Sequence, residues 1–542
     1  MNRRLTVLFT LMLVTLGACA PASTTKLEST TPPAAPVPVA ARKGGTLRLA
    51  LASDPVFNPA IARDPVSVII NKLVFSGLLR FDQNMEPTGD LAEKWEISDD
   101  GLTWTFHLRS GVKWHDGLPL TAADVQFTYQ TVLDPKVNSG LRGRFTSVTK
   151  VEAVDPLTVR FTLKSPDAVL AVDLADSQGI LPKHLLEGKD INNYSDFNKI
   201  HPIGTGPYKL KESVAGDHYT LVANDDYYEG RPNIDTVIWK IIPDANVQVA
   251  QLKTGEIDMA TVPSTALGGL RNDSNLVIDY LTKIRYYAFV PNMRQTRFQD
   301  PRVILALTYG LDRAGIIKAV SSGDWEIAST LIHPDITWAH DANLQPIPYD
   351  PQKALSLLAE AGWKDTNKDG ILEKNGEPFK FTIAVDTAPD RKQAAEIAQQ
   401  DYRKLGLDVG LEVLEWGTLV NSRYLPRTFD MVGPIETRSP PDADDSFHYA
   451  CKAGGNASGW CNAEADKLLT QGLAEMNRQK RQAIYYRWQE ITTNEDPPVI
   501  PLAYAGEIRV MRSTLQGVPK TPPSLLDYSY SFYYLKDWWL KQ

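Results

Sequence analysis

A histidine directly followed by an aspartate is one place where this chain of 542 residues could carry acid–base chemistry. His115 and Asp116 are such neighbours, and a His–Asp pair can activate a serine when the three side chains meet. No G-x-S-x-G or other nucleophile motif accompanies them, and the next residue, Gly117, makes Asp116-Gly117 typical of a turn. The sequence therefore predicts no catalytic residue and no enzyme.

A second candidate is the glycine-rich segment Gly204-Thr205-Gly206, because such loops can cradle phosphates. It lacks the lysine of a P-loop and the third glycine of a dinucleotide loop. The segment therefore predicts a tight turn, and the sequence gives no reason to expect a cofactor.

A third candidate resembles the start of a calcium loop, with Asp365, Asn367 and Asp369 before Gly370. A complete loop needs a bidentate acid at position twelve, which here is glycine, although Glu373 at position nine could contribute. We therefore predict no metal site and keep this segment as a weak calcium-loop candidate, with an Asx-turn hairpin as the default interpretation.

Two cysteines in the body of the chain, Cys451 and Cys461, are close enough in sequence to form a small disulfide loop. In an oxidising exported compartment nearby cysteines usually pair. Two free thiols or a metal pair are the alternatives, and no companion ligands for a metal are present nearby in the sequence. We predict the disulfide.

The amino-terminal segment sets the compartment. Two arginines precede an apolar run over residues 5–16, which is shorter than the roughly 20 residues needed to cross a bilayer. The run ends at Leu16-Gly17-Ala18-Cys19, which resembles a bacterial lipobox and implies cleavage before Cys19 and lipidation of its sulfur; an ordinary signal peptide is the alternative. Residues 19–43 are rich in Pro, Ala, Ser and Thr and predict a flexible tether. We therefore expect an exported protein, lipid-anchored to the cell membrane and facing the periplasm or outer surface.

Charge excludes one class of partner. The whole chain carries −8, and residues 1–43 contribute +4, which leaves −12 on the body from Gly44 onward. Nucleic acids are bound by basic patches, so we expect no nucleic-acid partner.

The elements that must hold these residues are mixed. Residues 102–108 alternate between large apolar and polar side chains, which predicts a strand, and Thr121 with Asp124 predicts a capped helix start. Asp300-Pro301 and Asp350-Pro351 predict two more helix starts, at 302–311 and 352–361. Strands at 236–242 and 256–260 around a helix at 244–253 predict a β-α-β unit, and hence an α/β fold.

Five groups of residues, in this order and spacing, resemble the bacterial extracellular solute-binding proteins of family 5, the dipeptide-, oligopeptide- and nickel-binding lipoproteins of ABC transporters. Each group is weak alone, but their order and spacing support a resemblance over roughly residues 44–515. They are residues 91–125; 204–208; 224–232 with 255–258; 300–313; and 349–363.

The resemblance implies a class II periplasmic-binding-protein-like α/β fold, with two lobes, a hinge and an inserted extra domain. Lobe I would be discontinuous, formed by residues 44–75, 203–281 and 513–542. The inserted domain II would be residues 76–202 and lobe III residues 282–512. The ligand would lie between the lobes, and hinge closure would seal it without breaking any bond.

Peptide-binding relatives place an aspartate on the peptide amino group, after a Phe-Asp pair and a Gly-Trp pair. Phe429-Asp430 is present here, but the Gly-Trp is absent, and Ser439 or Arg438 aligns best with the aspartate. Glu436 or Asp442 could supply the negative charge instead, and Arg438 could equally serve an anionic ligand. Recognition of an amino terminus is therefore expected to differ in this chain.

Other ligand-contacting candidates follow from the same resemblance. Trp416 and Arg423 match the relatives in place, and Trp416 is a candidate pocket wall, with core packing as the alternative. Asp54, Phe57 and Asn58 follow the first predicted strand, where relatives run main chain beside the ligand.

The expected function is therefore that of a substrate-binding subunit of an ABC importer, capturing short peptides for a membrane permease and its ATPase. The alternatives are the same fold binding a non-peptide solute (an opine, sugar, metal chelate or haem), and a surface receptor without transport. We expect a monomer whose partners are the ligand, the permease and ATPase subunits, and the membrane through the lipid anchor.

Overall fold

The computed structural model describes residues 43–541, except 178, 282–283, 322–324, 439–440 and 521–527. Its strands are short and distributed along the whole described chain. They are β1 (Thr46–Leu51), β2 (Leu79–Phe81), β3 (Pro87–Gly89), β4 (Ala92–Ile97), β5 (Thr103–Leu108), β6 (Val148–Asp155), β7 (Thr158–Leu163), β8 (Tyr208–Val214), β9 (His218–Ala223), β10 (Thr236–Ile241), β11 (Met259–Thr261), β12 (Leu276–Leu281), β13 (Arg285–Pro291), β14 (Glu326–Ile327), β15 (Glu373–Lys374), β16 (Glu377–Pro378), β17 (Lys380–Asp386), β18 (Asp408–Leu414), β19 (Met431–Arg438), β20 (Ile500–Tyr504), β21 (Glu507–Arg512), β22 (Leu515–Gln516) and β23 (Trp539–Leu540).

Helices alternate with these strands. They are α1 (Pro65–Val74), α2 (Ala122–Leu133), α3 (Leu170–Asp176), α4 (Lys183–Leu186), α5 (Ala245–Thr254), α6 (Pro301–Tyr309), α7 (Arg313–Val320), α8 (Pro351–Glu360), α9 (Pro389–Lys404), α10 (Trp416–Leu419), α11 (Ser446–Tyr449), α12 (Ala463–Ala474), α13 (Arg478–Glu490) and α14 (Tyr528–Ser531). Within the described ranges no helix is both long enough and apolar enough to cross a bilayer.

The predicted helix starts are confirmed by their caps. Thr121 and Asp124 form a capping box at α2, and the carboxylates of Asp300 and Asp350 accept amide hydrogens at the starts of α6 and α8. Asp244 caps α5 in the same way, and Gly255 ends it at a φ of 81°, a left-handed conformation that glycine adopts readily. These boundaries are local, which is why the sequence could reveal them.

A seven-stranded sheet in the order β12-β21-β11-β1-β10-β9-β8 forms the first lobe together with a four-stranded sheet in the order β4-β5-β7-β6. Strand β5 alternates as predicted, with Trp104, Phe106 and Leu108 buried. The buried side chains of both sheets, among them Phe106 and Trp239, belong to one continuous hydrophobic cluster. The first lobe therefore has a common core beneath its two sheets.

The second lobe is built on a six-stranded sheet in the order β14-β20-β13-β19-β17-β18. Its central strands are buried on both faces, since all five residues of β20 are buried. A separate hydrophobic cluster, including Phe381 and Trp488, fills this lobe. Two cores that do not merge allow the lobes to move as separate bodies.

Two short connections join the lobes. The chain passes from β12 to β13 over residues 282–284 and returns from β20 to β21 over residues 505–506. The strand ends that flank the two crossovers lie side by side, because β12 pairs antiparallel with β21 and β13 pairs antiparallel with β20. Paired crossovers of this kind form a hinge.

The predicted end of lobe III at residue 512 differs from the structure. Strand β21 hydrogen-bonds to β11 and β12 in the seven-stranded sheet, so residues 507–512 lie in the first lobe. The return crossover therefore lies before β21, at residues 505–506.

Candidate functional site

The site is positioned by strand ends in the second lobe. Strands β17, β18 and β19 are parallel, so their carboxyl ends share one edge of the sheet, and the antiparallel β13 begins at that edge. Because β13 begins directly after the first crossover, this edge lies next to the hinge. Loops that follow the carboxyl ends of such strands are the usual ligand-binding positions in α/β folds.

Ion pairs and aromatic rings occupy this edge. Glu436 on β19 forms an ion pair with Arg285 and accepts a hydrogen bond from the Tyr287 hydroxyl at 3.4 Å. The ring of Tyr287 stacks on Trp325, with centroids 4.8 Å apart and an interplanar angle of 11°. The edge therefore presents a flat aromatic surface beside a neutralised pair of charges.

A second ion pair lies at the end of β17. The guanidinium of Arg391 donates from Nε to both carboxylate oxygens of Asp386, at 2.8 and 3.0 Å. Burial disfavours the Arg391 cation, but its bond to Asp386 outweighs this and raises the pKa of Arg391. The ring of Trp416 lies 5.7 Å from the guanidinium and is 49% exposed, which leaves a large face open.

The lobes also touch away from the crossovers. The backbone N–H of Ala168 in the first lobe donates to the carbonyl of Leu473 in the second at 2.9 Å, and Glu86 forms an ion pair with Arg478. The two lobes therefore meet at a second place besides the crossovers.

Carboxylates from both lobes gather at this second contact. Asp173 on α3 comes from the first lobe, and Asp442, Asp444 and Asp445 come from the loop before α11 in the second. We name these four residues the acidic junction. Arg481 donates to both oxygens of Asp442, at 3.0 and 2.6 Å, and His448 pairs with Asp445.

Asp444 is the least compensated member of the acidic junction. In the described part of the chain its carboxylate accepts a hydrogen bond from the Ser446 hydroxyl and forms no ion pair. Burial, together with the nearby charges of Asp442 and Asp445, raises the pKa of Asp444 to about 7. Burial also raises the pKa of Asp173 well above its usual value; Arg144, at 3.8 Å, opposes this shift, and nearby acids, Asp444 among them, add to it.

A buried acceptor atom in the acidic junction also lacks a partner. Asp445 is 5% exposed, and its Oδ2 atom has no hydrogen-bond partner among the described residues. A buried carboxylate oxygen without a donor costs free energy, on the order of 1–3 kcal/mol. The acidic junction is therefore chemically suited to receive a cationic group with several N–H donors.

The structure brings together only some of the sequence-predicted ligand residues. Trp416 and Glu436 lie at the sheet edge, and Asp442 lies in the acidic junction. Arg438 ends β19 opposite Arg285, and its side chain lies outside the described part, as do Ser439 and Cys19.

The remaining candidates lie elsewhere. Asp54 accepts hydrogen bonds from the Gly216 N–H at 2.8 Å and the Tyr219 hydroxyl at 2.9 Å. Phe57 and Asn58 are 0% exposed in the core of the first lobe. Arg423 is paired with Glu412 on the face of the second sheet.

Sequence reasoning missed Arg285, Tyr287, Arg391 and Asp173, because each acquires its role from a partner distant in sequence. Asp444 and Asp445 carried a visible signal, since they stand beside Asp442 in an acidic run after two prolines. That run could have been singled out by its charge alone.

The other motifs have structural settings. Cys451 and Cys461 are disulfide-bonded, with Cα atoms 4.5 Å apart. Asp116 contacts His184 at 2.8 Å, while His115 bonds to Gly206 O at 3.0 Å, and burial lowers the pKa of His115 to about 4. The two neighbours therefore do not form a dyad with each other.

The predicted Asx-turn hairpin is present in the calcium-loop segment. Asp365 accepts backbone hydrogens from Lys368 at 2.7 Å and Gly370 at 3.1 Å, and Glu373 accepts from the Thr366 amide at 2.8 Å. Over the ranges described, no three His, Cys, Asp or Glu side chains are grouped to hold a metal ion.

Comparison with known proteins extends over almost the whole chain. The family model for bacterial extracellular solute-binding proteins, family 5 Middle, matches residues 86–458. The chain is 36% identical over 509 residues to the oligopeptide-binding protein AppA of Bacillus subtilis, with 92% of each chain covered.

Solved structures of solute-binding proteins resemble this chain over almost its whole length. AppA from Bacillus subtilis in complex with a nonapeptide superposes with a TM-score of 0.79 at 32% identity, covering 93% of this chain and 100% of that one. NikZ from Campylobacter jejuni in complex with Ni(L-His) gives a TM-score of 0.78 at 32% identity, covering 92% and 99%. The predicted two-lobed α/β fold is confirmed.

Proposed function

Because this chain belongs to family 5 of the bacterial extracellular solute-binding proteins, we propose that it is the substrate-binding subunit of an ABC importer and captures short peptides between its two lobes. AppA, its 36% identical relative, is an oligopeptide-binding protein, and the solved AppA structure holds a nonapeptide. The chain acts on its ligand by binding and release, without catalysis.

The observation that carries the peptide proposal is the acidic junction. Asp444 has a hydroxyl partner and no ion pair in the described chain, and it lies near enough to Asp173 of the other lobe to help raise the pKa of that group. A peptide amino group supplies one positive charge and three N–H donors. Placed between these carboxyl groups, it favours their ionised forms and gives the buried oxygen of Asp445 a donor.

The sheet edge supplies the second part of the proposed site. Trp325, stacked on the buried Tyr287, and the half-exposed Trp416 offer aromatic faces that can receive peptide side chains of different shapes. Arg285 and Arg391 are already neutralised by Glu436 and Asp386, so this edge makes little demand on ligand charge. Specificity for an amino terminus with tolerance of side chains is the expected result.

Closure converts binding into a signal. The paired crossovers act as the hinge, and a ligand that contacts both lobes stabilises the closed arrangement over the open one. A micromolar Kd corresponds to about −8 kcal/mol, which an ammonium site and apolar burial can supply. The permease would then receive the closed form.

The direct test is titration with matched peptides. Calorimetry with a tetrapeptide and its N-acetylated form should show at least tenfold weaker binding of the acetylated peptide, because acetylation removes the charge. Native mass spectrometry of freshly purified protein should release a ladder of peptide masses. Equal affinity for both peptides, together with a single non-peptide mass, would contradict the proposal.

We also propose that the exported chain is cleaved before Cys19 and lipidated there, and that it works as an anchored monomer. The lipobox-like residues and the tether composition support this. Cells grown with an alkyne-tagged fatty acid should label the wild-type protein and leave Cys19→Ser unlabelled. Labelling of both would place the lipid elsewhere.

A metal chelate is the second candidate ligand, because the NikZ structure holds Ni(L-His) at the same 32% identity as the peptide complex. Calorimetry with nickel and L-histidine, against L-histidine alone, separates the two. Saturable heat that requires nickel, with no heat from peptides, would favour the chelate.

A further inference from the structure

A polar cavity of about 570 Å³ lies in the second lobe, apart from the residues of the acidic junction. It opens beneath the segment 420–430, and small-molecule sites have volumes of about 300–1,000 Å³. Its lining is mostly polar. The lining residues are Asn292, Gln295, Thr382, Ala384, Glu412, Arg423, Arg427, Thr428, Phe429 and Asp430.

Strand register separates this cavity from the cleft between the lobes. Asn292 follows the last residue of β13, and Asp430 precedes the first residue of β19. These positions lie at the opposite edge of the sheet from Asp386 and Arg285. Thr382 and Ala384 extend the cavity across one sheet face, while α9 packs on the sheet from its other side.

The cavity lining carries two arginines and two acids, so its formal charges cancel and the arrangement of partners decides which charge stays available. Arg423 is neutralised by Glu412, with N–O distances of 2.7 and 2.9 Å. The carboxylate of Asp430 accepts from the Thr382 amide at 2.9 Å and from the Gln295 side chain at 2.8 Å. Both acids are therefore already occupied.

Arg427 and the neighbouring Arg294 have carbonyl partners instead of acids. Arg427 donates to Gly454 O at 2.9 Å, and Arg294 donates to Ala457 O at 2.9 Å, with no ion pair for either within the described ranges. Partial burial and the charge of Arg427 lower the pKa of Arg294. Two adjacent guanidinium groups without an acid favour an anion between them.

Gln295 adds an unused acceptor. Its Nε2 group donates to Phe429 O at 3.0 Å and to Asp430 Oδ1 at 2.8 Å, so the amide orientation is fixed by two acceptors. The Oε1 atom is buried and accepts no hydrogen bond from any described residue. A ligand that fills this cavity therefore needs an N–H or O–H donor as well as a negative charge.

The backbone holds Arg427 in an unusual conformation. Its φ is 61°, in the left-handed region that residues other than glycine seldom adopt. Strain of this kind persists where the surroundings over-determine it, frequently at binding sites. Here it holds Arg427 at the rim of the cavity.

We propose that this cavity binds a small hydroxy- or amino-carboxylate. The carboxylate would lie on the free N–H groups of Arg427, and the hydroxyl or ammonium group would donate to Gln295 Oε1. The site is independent of peptide capture in the cleft, because none of its lining residues belongs to the acidic junction or to the ion pairs and aromatic rings of the sheet edge.

The test is calorimetric titration of the wild-type chain at low ionic strength with L-malate, succinate and inorganic phosphate. L-Malate carries a hydroxyl that succinate lacks, so malate should bind at least several-fold more tightly than succinate. Arg427→Asn should weaken both acids about tenfold, since asparagine tolerates the left-handed φ while losing the charge. Gln295→Leu should remove the preference for malate over succinate.

Control variants distinguish binding in this cavity from nonspecific attraction between an anion and the protein's arginines. Arg271→Gln removes an exposed arginine of the first lobe and should leave malate binding unchanged. Affinity for a tetrapeptide should be the same in wild type, Arg427→Asn and Gln295→Leu. The absence of saturable malate heat in the wild type, or an equal loss in Arg271→Gln, would overturn the site. Phosphate binding as tight as malate, unaffected by Gln295→Leu, would overturn the assignment of the hydroxyl or amino group.

Discussion

The sheet edge and the acidic junction lie close together in sequence, on and just after β19, but their charges are compensated differently. At the edge, Arg285 pairs with Glu436 and Arg391 pairs with Asp386. At the acidic junction, Asp444 has a hydroxyl partner and Asp445 keeps a buried oxygen without a donor in the described chain. The edge is electrostatically complete without a ligand, whereas the acidic junction becomes complete when a cation enters. The sheet edge is therefore expected to tolerate different ligand side chains, whereas the acidic junction is expected to require a positive charge on the ligand.

The largest expected effect comes from removing the structural cation of the acidic junction. Arg481→Met leaves Asp442 buried and unpaired, which should destabilise the protein by about 3–5 kcal/mol in urea unfolding. Arg487→Met is the matched control, because Arg487 is solvent-accessible and its glutamate partners remain hydrated. A loss no greater than that of the control would show that Arg481 does not hold the acidic junction together.

The second-largest expected effect is on peptide affinity, and it compares the acidic junction with the sheet edge. Asp444→Asn removes a charge that has no ionic partner, and affinity for a free-amino tetrapeptide should fall about 10–100-fold, the equivalent of about 1.5–3 kcal/mol. Glu436→Gln should lower the same affinity less than threefold, because Glu436 already pairs with Arg285. Calorimetry on both variants measures the contrast, and a reversed order would exchange the roles of the two regions.

The pH dependence of the ligand-free protein should follow Asp444. Its pKa is raised from 3.8 to about 7 in the folded protein, so the folded state holds a proton that the unfolded chain releases. Stability should therefore fall as the pH rises from about 4 to about 7, with the loss complete above 7. Thermal unfolding across this window should show a shallower decline in Asp444→Asn.

Other charged groups at the acidic junction bear on that profile. Asp173 has a raised pKa and contributes with the same sign, while Arg481 stays charged throughout. Burial opposes the charged form of His448, but Asp445 outweighs it and raises its pKa, so its own stabilisation is lost only at higher pH. An unchanged slope in Asp444→Asn would assign the dependence to these groups instead.

The smallest expected effect lies at the sheet edge. Trp416→Ala removes a half-exposed ring, so stability should change little, and affinity for peptides with aromatic side chains should fall a few-fold. Peptides of alanine should bind the variant as well as the wild type. A large loss for every peptide would make Trp416 a general anchor.

The elements that the sequence predicted correctly depend on neighbours in the chain. The alternation of Trp104 and Phe106 with polar residues predicts β5, and Asp300-Pro301 predicts the start of α6, since a period and a cap are visible within a few positions. The disulfide partners also lie only ten positions apart. The resemblance to the family then supplied the order of the lobes.

What the sequence could not reveal depends on distant pairing. Arg285 meets Glu436 through the register of β13 and β19, and Asp173 meets Asp444 only when two lobes come together. The sequence of β21 is typical of a strand, but its residue pattern does not indicate which of the two sheets the strand joins. Arg423 matches the position of a ligand-contacting residue in the relatives. In this structure it pairs with Glu412 on the face of the second-lobe sheet, away from the sheet edge.

The bond between the Ala168 amide and the Leu473 carbonyl has a kinetic consequence. It joins the two lobes next to the acidic junction, since the preceding residue, Asp167, interacts electrostatically with Asp442 and Arg481, and the Glu86–Arg478 pair also joins the lobes. Bonds between main chains of the two lobes stabilise the closed form, and so they lengthen the time for which any ligand stays bound, whatever its side chains. Substitutions at this contact can therefore change the rate of ligand release while the aromatic sheet edge, which would receive the side chains, stays the same.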